Sequence, residues 1–258
     1  MTDPRLRPPA DAPAGGQRDA PTMGSLDGQA ALITGASRGL GRALALSFAR
    51  EGAMLALCGR RIAPLEEVAE QVCALGARVV VVSADLGVAR DVERVAATAL
   101  DHLGAVDILV NNASDLGTVP LAHLTDASSE ALQRALDVNV LGPFRLTRAV
   151  IGGMLLRGRG LVVNITSDAA VEGYPGWGVY GASKAALEGL TRSWAAEVEA
   201  SGVRVVAVDP GDMDTDMHRA ADPDADPAAL RRPEDVAEAI LRLVVAPGPA
   251  TRVVAALP

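Results

Sequence analysis

Ala30-Ala31-Leu32-Ile33-Thr34-Gly35-Ala36-Ser37-Arg38-Gly39-Leu40-Gly41 joins a short apolar run to the start of an amphipathic stretch, and its reading decides the fold. Ala30–Thr34 has the length and apolarity of a strand buried on both faces. Arg38–Glu51 carries apolar residues at helical spacing. Between the two, glycines at 35, 39 and 41 let the backbone turn tightly and approach a pyrophosphate. The helix that begins there offers free N–H groups and the positive end of its dipole. Glycines at this spacing say little alone and more when they lie between a first strand and a helix.

The same alternation continues in both directions from this loop. Met54–Cys58, Val79–Ser83, Ile108–Asn111, Leu161–Thr166 and Val203–Asp209 read as strands, with Arg252–Ala256 a candidate last strand. Pro64–Leu75, Ala89–His102, Tyr180–Ala200 and Glu234–Val245 read as helices. A long helical stretch from Ser128 to Leu156 contains Pro143, which predicts a kink or local irregularity. Strands alternating with helices of this length predict an α/β fold: a Rossmann-type doubly wound parallel sheet of about seven strands with helices on both faces. Ligands in such sheets bind beyond the carboxyl ends of the strands, so the chemistry is expected just after each strand.

Composition narrows the function classes. The 258 residues suit one domain, and 49% hydrophobic residues can fill a two-sided sheet even though only 2% are aromatic. A net charge of -8 with no basic stripe argues against nucleic-acid binding. No apolar run reaches the ~18 residues of a membrane span. Cys58 and Cys73 belong to no CxxC pair or Cys/His cluster, so no metal site is expected. Both cysteines read as small buried hydrophobes in a reducing, cytoplasmic setting. Residues 1–25, with Pro4, Pro8, Pro9, Pro13 and Pro21 among Asp, Arg and Gly, read as a disordered extension, and 26–258 as the folded domain. Met23 and the residues after it look like the first residues of a domain, so 1–22 is either a floppy tail or an upstream start.

Further motifs fall at the predicted strand ends. Tyr180-Gly181-Ala182-Ser183-Lys184 places a phenol and an ammonium on one helical face. An ammonium beside a phenol favours the phenolate, and so predicts a Tyr180 pKa below the usual value of about 10 and a general acid/base role. Ser167 lies thirteen residues before Tyr180. Asp85-Leu86 follows the third strand, Asn111-Asn112-Ala113-Ser114 the fourth, and Pro210-Gly211-Asp212-Met213-Asp214-Thr215 the sixth. Asn139 sits in Asp137-Val138-Asn139-Val140.

In order and spacing these motifs resemble the classical short-chain dehydrogenase/reductase family. The Asp85, Asn139 and Gly211–Met217 portions are most similar to bacterial 3-ketoacyl reductases. The resemblance implies hydride transfer between a nicotinamide and a carbonyl or alcohol carbon. It implies Tyr180 as proton donor, Ser167 as the donor that holds the substrate oxygen, and Asn139 as holder of a relay water. Lys184 would bind the nicotinamide ribose and keep the phenol acidic. Cofactor contacts are implied for Gly35, Ser37, Arg38, Gly39, Leu40 and Gly41. Asp85 and Leu86 are implied at the adenine, Asn111 and Asn112 after the fourth strand, and Pro210, Gly211, Met213 and Thr215 at the carboxamide, alongside Tyr180 and Lys184. Gly59 stands where an NAD enzyme has an acid, and Arg60 and Arg61 follow it. A carboxylate there would repel a 2′-phosphate and a guanidinium can bind one, so NADP(H) is preferred, with NAD(H) the alternative. Arg38 is a second candidate for that phosphate.

Ser114, Asp168, Tyr174 and Trp177 are candidates for the substrate wall; the two aromatics could equally pack the loop or a subunit contact. Asp212, Asp214, Asp216, Asp222, Asp224 and Asp226 crowd a segment that family members use as a flap. They read as a solvated loop, or more sharply as a device against anionic substrates. Two departures from the family bear on this reading. Ser114 replaces the usual glycine, and Thr251–Pro258 lacks the glycine-rich tail that in relatives helps form a tetramer. A homodimer or homotetramer acting on a small carbonyl or alcohol is expected. The rival readings are an NADP+-dependent alcohol dehydrogenase and an idle cofactor-binding regulatory protein.

Overall fold

A computed structural model of the chain describes residues 24–246 and 251–254. The predicted extension therefore lies outside the described residues up to position 23. Ser25, within the predicted extension, donates both its N–H (2.8 Å) and its hydroxyl (2.7 Å) to Glu51.

Seven parallel strands form one sheet in the order β3-β2-β1-β4-β5-β6-β7. They are β1 Ala30–Thr34, β2 Met54–Gly59, β3 Val79–Ser83, β4 Ile108–Asn111, β5 Gly160–Ile165, β6 Val203–Asp209 and β7 Arg252–Val254. The order reverses between β1 and β4, which leaves a crevice at their carboxyl ends. On one face pack α1 (Gly39–Arg50), α2 (Ile62–Ala74) and α8 (Pro233–Val245), burying Leu44, Phe48, Leu65 and Ile240 against Ile33, Leu57 and Val163. On the other pack α3 (Ala89–Leu103), α5 (Gly142–Arg157) and α6 (Gly178–Val198), with Val95, Leu146 and Met154 against Leu32, Leu109 and Val162. Successive strand residues such as Leu32 and Ile33 feed opposite cores, which is why the strands read as continuous apolar runs.

The predicted irregularity at Pro143 is a π-helical segment, Asp137–Leu141, between α4 (Ser129–Leu136) and α5. Pro143 lies in the first turn of α5, directly after that segment, so the widened turn falls where the helix lacks a proline N–H. Cys73 differs from expectation. It is exposed, whereas Cys58 is buried. The buried face of α2 is set by Leu65, Val68 and Val72, and Cys73 falls one step off that stripe. No helix among the described residues is long and apolar enough to cross a membrane. Nor does any group of three His, Cys, Asp or Glu among them come together as a metal site.

Candidate active site

A cavity of about 870 Å³ opens at the carboxyl ends of the strands, at the upper end of the small-ligand range. Its walls gather motifs that lie far apart in sequence. Gly35, Ser37, Arg38, Gly39 and Leu40 come from the glycine loop, and Arg60, Arg61, Asp85, Leu86, Asn112 and Ser114 from the exits of β2, β3 and β4. Ser167, Asp168, Trp177, Tyr180 and Lys184 follow β5, and Pro210, Gly211, Met213 and Thr215 follow β6.

The glycine loop is built from backbone. Gly35 has φ +66°, and a Cβ there would stand 2.8 Å from the Ala113 Cα. Gly41 is not in the cavity wall. A Cβ at this position would lie 2.3 Å from the Gly35 carbonyl oxygen, so its glycine lets α1 pack under the loop. Asn112 ties the loop to β4 by donating its amide to the Thr34 (2.9 Å) and Gly35 (3.3 Å) carbonyls.

The three candidate phosphate arginines differ. Arg38 pairs with Asp216 at 3.0 Å, and Arg60 leans toward Asp115 at 3.8 Å. Arg61 is exposed in the cavity wall and has no ion pair or side-chain hydrogen bond among the described residues. Asp85 is held by the Gly87 N–H (2.9 Å) and by Arg134 (3.0 Å). Partial burial raises its pKa, but these hydrogen bonds outweigh that and the net direction is down. Arg134 also donates to Asp115 at 3.2 Å. Neither Arg134 nor Asp115 matched a motif, and no spacing in the sequence marks them as partners of Asp85.

Two predicted site residues have side chains committed to bonds within the protein. Asn111 does not reach the cavity, because it points sideways within the sheet and donates to Asn164 (2.8 Å) and Thr147 (3.4 Å). Asn139 is fully buried. It donates to Ser183 (2.8 Å) and the Asp115 carbonyl (2.8 Å), and accepts from Ser114 (3.2 Å) and the Asp115 N–H (2.8 Å). Its side-chain donors and acceptors are thus all taken within the protein. Tyr174 is not in the cavity wall either. It sits at the rim and donates its hydroxyl to Asp168 at 2.9 Å.

Tyr180 and Lys184 occupy adjacent turns of α6 and are buried. The Trp177 ring meets Tyr180 edge-on at 5.6 Å, and the Lys184 Nζ stands 5.4 Å from the phenol ring centroid. Lys184 donates to the Ile165 carbonyl at 2.8 Å. Burial brings its pKa down to about 7. Burial also pushes the Tyr180 phenol up; Asp209 and Asp168 add to the rise, while the Ser114 and Ser167 hydroxyls oppose it. The expected downward shift of the phenol is therefore reversed in this arrangement. Desolvation is the largest influence on both groups. Ser167 donates to Asp168 (2.9 Å) and accepts from the Ala169 N–H (3.2 Å), so it must give up one bond to turn its proton elsewhere.

The six aspartates of the acidic segment are all exposed, as a solvated segment requires, although part of it is helical. Asp216–Ala221 forms a short helix, α7, with Arg219 paired to Asp214 and Asp216. Met217 and Ala221 pack against the cluster of Leu116, Ala169 and Tyr180. His218 lies 3.7 Å from Asp212.

Comparison with known proteins matches the short chain dehydrogenase family model to residues 29–226. The chain belongs to the short-chain dehydrogenase family. It is 40% identical over 202 residues to oxidoreductase UcpA of Escherichia coli, covering 76% of this chain and 73% of that one. It is 38% identical over 226 residues to glycine betaine reductase ATRR of Emericella nidulans, covering 84% of this chain but only 18% of that much longer protein. Among solved structures, a metagenomic short-chain oxidoreductase in complex with NADP superposes with a TM-score of 0.77 at 30% identity, covering 89% of this chain and 97% of the other. The family's oxidoreductase chemistry and its Rossmann-type sheet thus agree with the expectation from sequence.

Proposed function

We propose that this dehydrogenase interconverts a carbonyl and a secondary alcohol with NADP(H), and that ketone reduction is the favoured direction. The observation that carries the proposal is the convergence of Ser167, Tyr180 and Lys184 on the cavity that the glycine loop also lines.

The residues present fit a dinucleotide. Glycines 35 and 41 leave no room for side chains where the loop closes, and the arginines line the end beyond β2. Gly59, where an NAD enzyme has an acid, lines the same end of the cavity and offers no carboxylate to a ribose diol. Arg61, with Arg60 and Arg38, would hold the 2′-phosphate, and the solved relative bound to NADP supports that choice. When bound, the nicotinamide supplies the hydride equivalent to the carbonyl carbon or takes it from the alcohol carbon.

The chain's own residues handle the oxygen and its proton. Tyr180 donates its phenolic proton to the oxygen as negative charge develops there, and recovers it in the reverse direction. Ser167 turns its hydroxyl from Asp168 toward the same oxygen and stabilises that charge. Lys184 stays within reach of the phenol and offsets the phenolate once it forms. Trp177, Met213 and Met217 line the same cavity and exclude water around the reacting oxygen. Asn139 acts by position, locking the loop after β4 to α6 beside Tyr180.

The test is reduced-nicotinamide absorbance over a ketone panel, wild type against Tyr180→Phe. The wild type is expected to turn over at least one ketone with NADPH, and the variant to lose ~10²–10⁴-fold. Equal, near-zero rates for both across a broad panel would establish the idle, cofactor-binding alternative instead.

A further inference from the structure

Beside the reacting residues lies a charged network, buried at its two carboxylates, that the proposed chemistry does not use. Glu188 and Asp209 are 3% and 5% exposed, on α6 and at the end of β6. Between them comes Arg252 of β7, which donates Nε to Glu188 at 3.0 Å and Nη2 to Asp209 at 3.2 Å. Each carboxylate is also tied to the active site. Glu188 accepts the Thr166 hydroxyl at 2.8 Å, and Thr166 precedes Ser167. It lies one helical turn beyond Lys184, with Arg192 at 3.7 Å from its other oxygen. Asp209 accepts the Gly211 N–H at 3.0 Å, which shapes the turn that carries Met213 and Thr215 into the cavity.

We propose that Arg252 is a positioning residue of the active site, whose guanidinium clamps Glu188 and Asp209 and keeps the Asp209 charge from acting in full on Tyr180. One planar fork bridges two carboxylates on different elements, which a flexible ammonium does less well. Without it two buried carboxylates lose their shared cation, and the exits of β5 and β6 lose their common anchor. The charged and polar groups that line the cavity with Tyr180 and act on its phenol are Asp209 from β6, Asp168 and Ser167 after β5, Ser114 after β4, and Lys184 on α6 itself. Asp209 is the member of that set which Arg252 directly pairs. This inference rests on Tyr180 being the proton donor and acceptor.

The experiment is the pH profile of alcohol oxidation by the full chain with NADP+, where activity rises as Tyr180 loses its proton. Arg252→Gln is expected to move that rise up by about half to one pH unit, since unpaired negative charge disfavours the phenolate. Asp209→Asn is expected to move it down, and the double variant to fall between the two. Arg252→Lys is expected to restore part of the wild-type profile. Should Arg252→Gln fail to fold, the downward shift of Asp209→Asn and its position relative to the double variant carry the test. A profile unmoved in Arg252→Gln and Asp209→Asn, with only thermal stability or kcat lowered, would reduce the network to a structural brace and overturn the proposal. Tyr180→Phe is run alongside. If it keeps wild-type activity, the reading of Tyr180 fails. If it is inactive, the Arg252 and Asp209 profiles judge the network alone.

Discussion

The two halves of the groove are made of different materials. On the β1–β3 side the shape comes from backbone: Gly35 and Gly41 leave the loop close to its neighbours, and the charged side chains at Arg60 and Arg61 stay in water. On the β4–β7 side the shape comes from buried polar side chains. All the buried polar or charged residues among the described ones, except Thr34, Ser47 and Asp107, lie at or after Asn111. They form chains such as Asn111–Asn164–Thr191, and the partly exposed Arg252 joins Glu188 to Asp209. The first half suits a ligand that brings its own charge and needs only a place to lie. Apart from Cys58 on β2, whose thiol burial pushes up to about 12, the groups that burial shifts most, Tyr180 and Lys184, lie in the second half, and desolvation is what moves pKa values.

If the backbone half is shape alone, one added methyl group should destroy it. Gly41→Ala puts a Cβ 2.3 Å from the Gly35 carbonyl oxygen, which has no rotamer by which to escape. Gly152→Ala, where a Cβ meets nothing within 4 Å, is the control. Gly41→Ala is expected to fold yet weaken NADPH binding by ~100-fold or more, measured by fluorescence titration, since backbone N–H groups must move off the phosphate position. Gly152→Ala is expected to bind as wild type and to gain up to ~1 kcal/mol of stability from helix propensity. Unchanged affinity in Gly41→Ala would mean that the loop yields, and the contrast between the halves would go.

The same contrast explains what could be read from the sequence. The sheet was legible because strands buried on both faces need unbroken apolar runs, and the glycine loop because only glycine meets its backbone demands. Tyr180, Lys184 and Ser167 were legible because their spacing on one helix and one strand end is local. Asn111 and Asn139 were found as positions, but not the side-chain bonds that commit their amides. Whether an amide faces a cavity or a neighbouring helix depends on elements far along the chain. Arg134, Asp115 and Arg252 left no local trace at all, since each is defined by a partner many residues away. The direction of the Tyr180 shift was misread for a related reason. Proximity of charges can be inferred from a four-residue spacing, but burial cannot.

The exposed half also makes a prediction about selectivity. Arg38 and Arg60 have carboxylate neighbours, whereas Arg61 is unpaired among the described residues. A guanidinium that need not leave a partner contributes most to a new phosphate contact. Arg61→Ala is expected to lower the ratio of kcat/KM for NADPH over NADH by ~10-fold or somewhat more, the worth of one charge-assisted hydrogen bond. Arg60→Ala and Arg38→Ala should each cost less. The reverse ranking would show that the ion pairs to Asp115 and Asp216 orient their arginines rather than occupy them.

The buried half has a cost that should appear in stability. Lys184 has a folded pKa near 7 against an ordinary value of 10.5, so the folded state binds its proton less well than the unfolded chain does. Below pH 7 this disfavours folding by its full amount; the penalty shrinks as pH rises through that window and is gone above 10.5. The Tyr180 phenol is shifted up, so above about pH 10 the unfolded chain ionises first and stability falls again. Between them the two groups predict stability that climbs from neutral pH and turns over near pH 10. Lys184→Met removes the first slope but also the bond to the Ile165 carbonyl, which offsets ~1 kcal/mol of the gain. The net expectation is a Tm higher by a few degrees at pH 7, on the scale of ~2–4 °C per kcal/mol, with the difference from wild type closing as pH approaches 10. A Tm difference independent of pH would mean that the ammonium keeps its proton in the fold. The lysine would then be solvated from the cavity side, and the dry half of the groove would be wetter than its packing implies.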